Sequence, residues 1–144
     1  MNNGILITQL SIFVENQKGR LALLTELLRD NGIDIRAVSV ADTREFGILR
    51  LIVDDPRKAA SVLKEEGFTV SLTSVLGVGI ADRPGGLCEV MELMRDSGIN
   101  VDYMYAYISQ SQERAYVILR ASDNAQAALL LAEKGFDLLA DAQI

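Results

Sequence analysis

Two short loops carry the residue types best suited to holding a small ligand. Asp82-Arg83-Pro84-Gly85-Gly86-Leu87 leads from an apolar run into a helical pattern, and Asn16-Gln17-Lys18-Gly19-Arg20-Leu21 does the same earlier in the chain. A glycine at such a junction lets the backbone turn tightly and bares the first N–H groups of the helix. Those groups attract a carboxylate or a phosphate. The plainer reading is that glycine and proline only shape the turn. Much other chemistry is excluded by composition. With no histidine, there is no Ser-His or Cys-His pair for nucleophilic catalysis and no imidazole for a metal. Paired carboxylates alone say little. Gly77 and Gly79 are spaced like the start of a dinucleotide fingerprint, but Asp82 stands where the next glycine is required. The expectation is a protein that is not an enzyme and needs neither metal nor cofactor.

The elements that position these loops occur twice. At an offset of 66, Gly19 and Leu21 lie over Gly85 and Leu87, Glu26-Leu27 over Glu92-Leu93, Arg29-Asp30 over Arg95-Asp96, and Gly32-Ile33 over Gly98-Ile99. At an offset of 68, Asp55, Ala59, Ala60, Leu63, Glu65, Gly67 and Phe68 match Asp123, Ala127, Ala128, Leu131, Glu133, Gly135 and Phe136. Two matching blocks in the same order are an internal repeat. The two-residue slip falls between Asp42 and Phe46, where the second copy has a longer hairpin turn.

Each copy reads strand, helix, strand, strand, helix, strand. In the first, Ile5 to Val14 is a strand, and Leu21, Leu24, Leu27 and Leu28 form a helical stripe ended by Gly32. Ile35 to Ala41 and Ile48 to Val53 are strands about a polar turn. Asp55-Pro56 starts a second helix, and Phe68 to Leu72 is the last strand. The second copy has strands at Val75 to Ala81, Val101 to Ile108, Ala115 to Ala121 and Phe136 to Ala140, with helices at Leu87 to Asp96 and Ala125 to Glu133. The order βαββαβ predicts an α+β fold of two tandem ferredoxin-like units, each an antiparallel sheet with its helices on one face. The boundary is placed between residues 1–73 and 74–144. No linker intervenes: the last strand of one copy runs into the first of the next around Thr73 to Leu76.

The 144 residues are 49% apolar and 24% charged, a globular composition, with net charge −6. An acidic chain is a poor partner for nucleic acid. No run of 18 apolar residues spans a membrane. Met1 to Gly4 lacks the basic start of a signal peptide, and Cys88 is the single cysteine, so the expected location is cytoplasmic. Cys88 reads better as a small packing residue than as a reactive thiol.

The pattern resembles the ACT domain family. The resemblance rests on D-x-P-G-x-L at Asp82 to Leu87, on Gly98-Ile99-Asn100-Val101, on Gly32-Ile33-Asp34-Ile35, and on the βαββαβ order. It implies a stand-alone tandem regulatory protein, a sensor that binds a free amino acid at the interface of its two ACT domains. The alternative is a protein-interaction or allosteric subunit with a degenerate ligand site. Carried residue by residue, the resemblance pairs Asp82, Pro84, Gly85, Gly86 and Leu87 with Ile35. It pairs Asn16, Gly19, Arg20 and Leu21 with Asn100, Val101 and Asp102. Helix-start N–H groups would take the α-carboxylate, and Asp82 or Asn16 the ammonium. The first copy departs from the pattern, with Lys18 for proline, Asn16 for aspartate and Arg20 for a small residue. Arg20 reads equally as a ligand contact or as a solvated helix residue.

Tyr103, Tyr105 and Tyr107 alternate along one strand and share a face with Tyr116 and Ile118 of its neighbour. The helices are expected to cover the opposite side, that of Met104, Val38 and Val40. The tyrosine side would then be an open face and, with Ile35, Ile48 and Ile52, a homodimer contact. A regulated enzyme or regulator is a further expected partner.

Overall fold

The computed structural model describes residues 6–42, 45–108, 114–141 and 144. The elements run β1 (Ile7–Glu15), α1 (Arg20–Asp30), β2 (Ile35–Asp42), β3 (Phe46–Val53), α2 (Pro56–Glu65), β4 (Thr69–Ala81), α3 (Gly86–Asp96), β5 (Val101–Tyr107), β6 (Arg114–Ala121), α4 (Asn124–Glu133) and β7 (Asp137–Leu138). Helix and strand follow the order read from the repeat. The last strand is shorter than Phe136 to Ala140. The predicted turn lengths, where the slip falls, lie at residues 43–44 and 109–113, outside the described residues.

The repeat is reproduced in backbone angles. Gly19 and Gly85 have φ of 87° and 88°, Gly32 and Gly98 both 69°, and Gly67 and Gly135 89° and 83°. Each pair marks a helix start or end that needs the left-handed region. Asp55 and Asp123 cap α2 and α4 alike, accepting from Lys58 N and Gln126 N at 3.2 and 3.0 Å.

β4 is one uninterrupted strand of 13 residues. Nothing at Thr73 to Leu76 breaks it, since no glycine or proline lies there. The strands pair antiparallel in ladders of β1 with β3, β2 with β3, β5 with β6, and β4 with β6 and β7. β1 pairs with β4 as well as with β3. That additional pairing sets β1 between β3 and β4.

The chain divides into two compact units, Thr8–Thr73 and a second formed by Ser74–Ile144 together with the segment that ends at Ile7. In the first, Leu10, Ile12 and Val14 of β1 and Leu49, Leu51 and Val53 of β3 meet Leu24 and Leu28 of α1 and Ala59, Ala60 and Leu63 of α2. Each fully buried leucine contributes about 1.5–3 kcal/mol. The second core repeats the scheme with Leu76, Val78, Leu119, Val90, Met94, Ala127 and Leu131. Gly77 and Gly79 belong to this packing. A Cβ on Gly77 would press on Ile7 and Leu139, and one on Gly79 on the Tyr116 ring.

Register puts Val38, Val40 and Met104 on the helix side with Leu51, Leu49 and Leu119, as expected, but the exposure expected of the two sides is reversed. Ile52 and Ile118 are fully buried, and Tyr103, Tyr105, Tyr107 and Tyr116 are half-buried. The uncovered side chains are instead Val38, Val40 and Met104, at 48%, 51% and 39% exposure. The reason lies in helix placement. The helices pack on β1 and β3, or β4 and β6, and neither β2 nor β5 adds a buried residue to its core.

Candidate functional site

Both first loops are built the same way. In the first repeat, Gln17 N donates to Glu15 O (2.8 Å) and Arg20 N to Gln17 O (3.2 Å). In the second, Arg83 N donates to Ala81 O (2.9 Å) and Gly86 N to Arg83 O (3.0 Å). The N-cap of α1 is Gly19 and that of α3 is Gly85, and neither helix has a side-chain cap. Beyond Arg20 N and Gly86 N, which donate within their loops, the first turns lack the capping carboxylates that close α2 and α4.

The loops differ in side chains. Arg20 is half-buried. Its guanidinium stacks 4.6 Å from the centre of the Phe68 ring, and Phe68 is buried beneath it. The counterpart, Gly86, is buried because a Cβ there would collide with the Ala81 carbonyl. Asp82, Pro84 and Gly85 are exposed, while Leu87 is half-buried. Arg83 Nη2 meets Glu89 Oε1 at 2.7 Å and ties the second loop to its own helix. Neither arginine pair was legible in the sequence, since each links positions with no shared motif.

The second-strand residues form their own clusters. Asn100 Nδ2 donates to Asp102 Oδ1 (3.0 Å), Asn100 N to Ser122 Oγ (3.1 Å), and Arg120 lies 4.0 Å from Asp102. Val101 is half-buried. In the first repeat Asp34 N donates to Asp54 Oδ1 (2.9 Å), and Ile35 is half-buried beside a break in the β2–β3 register. Within one repeat the loop and the second-strand start lie at opposite ends of an 11-residue helix, about 16 Å long.

A cavity of about 70 Å³ opens beside the first loop. Asn16 and Leu21 line it, with Val14, Glu15, Gln17, Val40, Gly47 and Leu49. Val40, Gly47 and Leu49 escaped sequence reasoning, because only strand register sets β2 and β3 beside the first loop. Among the described residues no cluster of three metal-ligating side chains occurs, and no helix is long and apolar enough to cross a membrane. Cys88 corrects a further expectation: it is exposed, not packed. Its Sγ–H donates to Glu92 Oε1 at 3.3 Å. That hydrogen bond, with the carboxylate's charge and slight desolvation, pushes the thiol pKa up.

Two βαββαβ repeats with uncapped, glycine-started first helices define a tandem α+β module. The chain belongs to the ACT domain pair family, whose profile matches residues 5–144. It is similar to protein BT0572 from Bacteroides thetaiotaomicron at 38% identity and TM-score 0.92, covering 98% of this chain and 96% of that one. It is also similar in fold to the ligand-free regulatory subunit of aspartate kinase from Thermus thermophilus. That match has 18% identity and TM-score 0.65, covering 90% of this chain and 94% of that one. The corresponding subunit from Thermus flavus matches at 17% identity and TM-score 0.61, over 88% and 90% of the two chains. No curated protein sequence matches significantly.

Proposed function

We propose that the protein is a non-catalytic regulatory sensor that binds a free amino acid at its first loops. The carrying observation is the pair of 11-residue helices started by left-handed glycines with no side-chain cap, inside a chain of the ACT domain pair family. Uncapped helix N–H groups suit an α-carboxylate. Asp82 or Asn16 suits the ammonium, and Pro84, Gly85, Gly19 and Leu21 shape the approach. Ile35, Asn100, Val101 and Asp102 remain the second set of ligand residues in this reading. The similarity in fold to the regulatory subunits of aspartate kinase supports a regulated enzyme as partner.

Thermal-shift screening of the purified protein against the twenty amino acids tests the proposal. A ligand at 100 times its Kd adds about 2.7 kcal/mol of stability, so at least one amino acid raises Tm clearly. No shift with any of them refutes amino-acid sensing and favours a protein-interaction subunit.

A further inference from the structure

The two repeats differ at one strand position in a way that decides what the first loop can hold. Gly47 of β3 is registered against Val14 of β1 and Asp42 of β2. It shares the helix-facing side of β3 with Leu49 and Leu51. With no side chain, it leaves the floor of the cavity open between Val14 and Val40. The matching residue of the second repeat, at the offset of 68, is Ala115, which carries a methyl group there. The walls of the cavity are Val14, Leu21, Val40 and Leu49, and Leu21 and Val40 are 45% and 51% exposed. Polar groups are confined to one side, where Glu15, Asn16 and Gln17 are all exposed.

Resting on the amino-acid reading above, we propose that the ligand is an amino acid with an aliphatic side chain, held by the first repeat. The side chain occupies the cavity over Gly47, and the charged α-groups stay at the Asn16–Gln17 rim. The space far exceeds the roughly 10–15 Å³ that one water needs. A charged side chain placed among valines and leucines would lose hydration without a partner. An aliphatic one gains about 0.8 kcal/mol, or fourfold in affinity, per buried methylene.

Titration calorimetry of the intact chain with glycine, alanine, valine, leucine, methionine, aspartate and lysine tests this. Affinity rises from glycine through alanine to the larger aliphatic residues, and aspartate and lysine bind more weakly than leucine. Gly47→Ala is compatible with the fold, since a Cβ there meets its nearest atoms at 3.6–3.9 Å. It lowers leucine affinity at least tenfold while glycine affinity changes less than twofold. Val40→Asp, at an exposed position, gives the same selective loss. Tighter binding of aspartate or lysine than of leucine overturns the aliphatic assignment. So does leucine binding that is unchanged in both variants. Either result leaves amino-acid sensing intact, whereas no binding of any amino acid removes the sensor reading itself.

Discussion

Arg20 and Gly86 occupy the same place in the two repeats and solve different problems. Arg20 covers Phe68 with its guanidinium. Arg20→Ala should therefore cost about 0.5–1 kcal/mol in urea denaturation, and Arg20→Met, which keeps the apolar stem, should recover part of it. Gly86 lies against the Ala81 carbonyl. Gly86→Ala should destabilise by about 1–3 kcal/mol through overpacking, with Gly47→Ala as the harmless comparison. Gly85, at φ 88°, strains under any substitution, so Asp82→Ala is the cleaner probe of that loop. Cys88 makes a pH prediction. Its raised pKa leaves less thiolate than a free cysteine has at the same pH. Iodoacetamide should therefore label it more slowly than an unstructured cysteine peptide at pH 8. Glu92→Gln should speed labelling and move the pH midpoint down. Unchanged rates would contradict the Glu92 hydrogen bond.

At the scale of elements, the sequence periodicity specifies helices and strands because each has one face in a core. Leu24 and Leu28 are buried as the leucine stripe implies, yet Leu21 of the same stripe is exposed. The stripe marks which side of α1 faces inward, not how far the sheet extends beneath it. The tyrosine parity on β5 is right for the same reason, and its exposure is reversed for the same reason. Alternation assigns side chains to faces, but how much of a face is covered depends on how far the helices extend over the sheet. Asn16 and Leu21 were legible as site residues from the loop pattern, whereas Val40 and Gly47 reach the cavity only through register. The caps of α2 and α4 offer a symmetric test. Asp55→Ala and Asp123→Ala should each cost about 1 kcal/mol, measurable by urea denaturation. Unequal costs would mean that the repeats are not energetically equivalent there.

For the whole molecule, the case for a dimer through the tyrosine face loses its original basis, since Ile52 and Ile118 are buried within one chain. Tyr105→Asp should then lower stability more than it changes association, and sedimentation of both proteins separates these effects. The central claim is that the chain senses an amino acid at its first loop. Titrating the ¹⁵N-labelled protein with each of the twenty amino acids, and following its backbone amides by NMR, tests that claim most directly. Saturable shifts centred on Asn16 to Ala22 and on Gly47 are the predicted result. Amides that stay still with every amino acid at millimolar concentration, or shifts confined to sites far from both first loops, would contradict it.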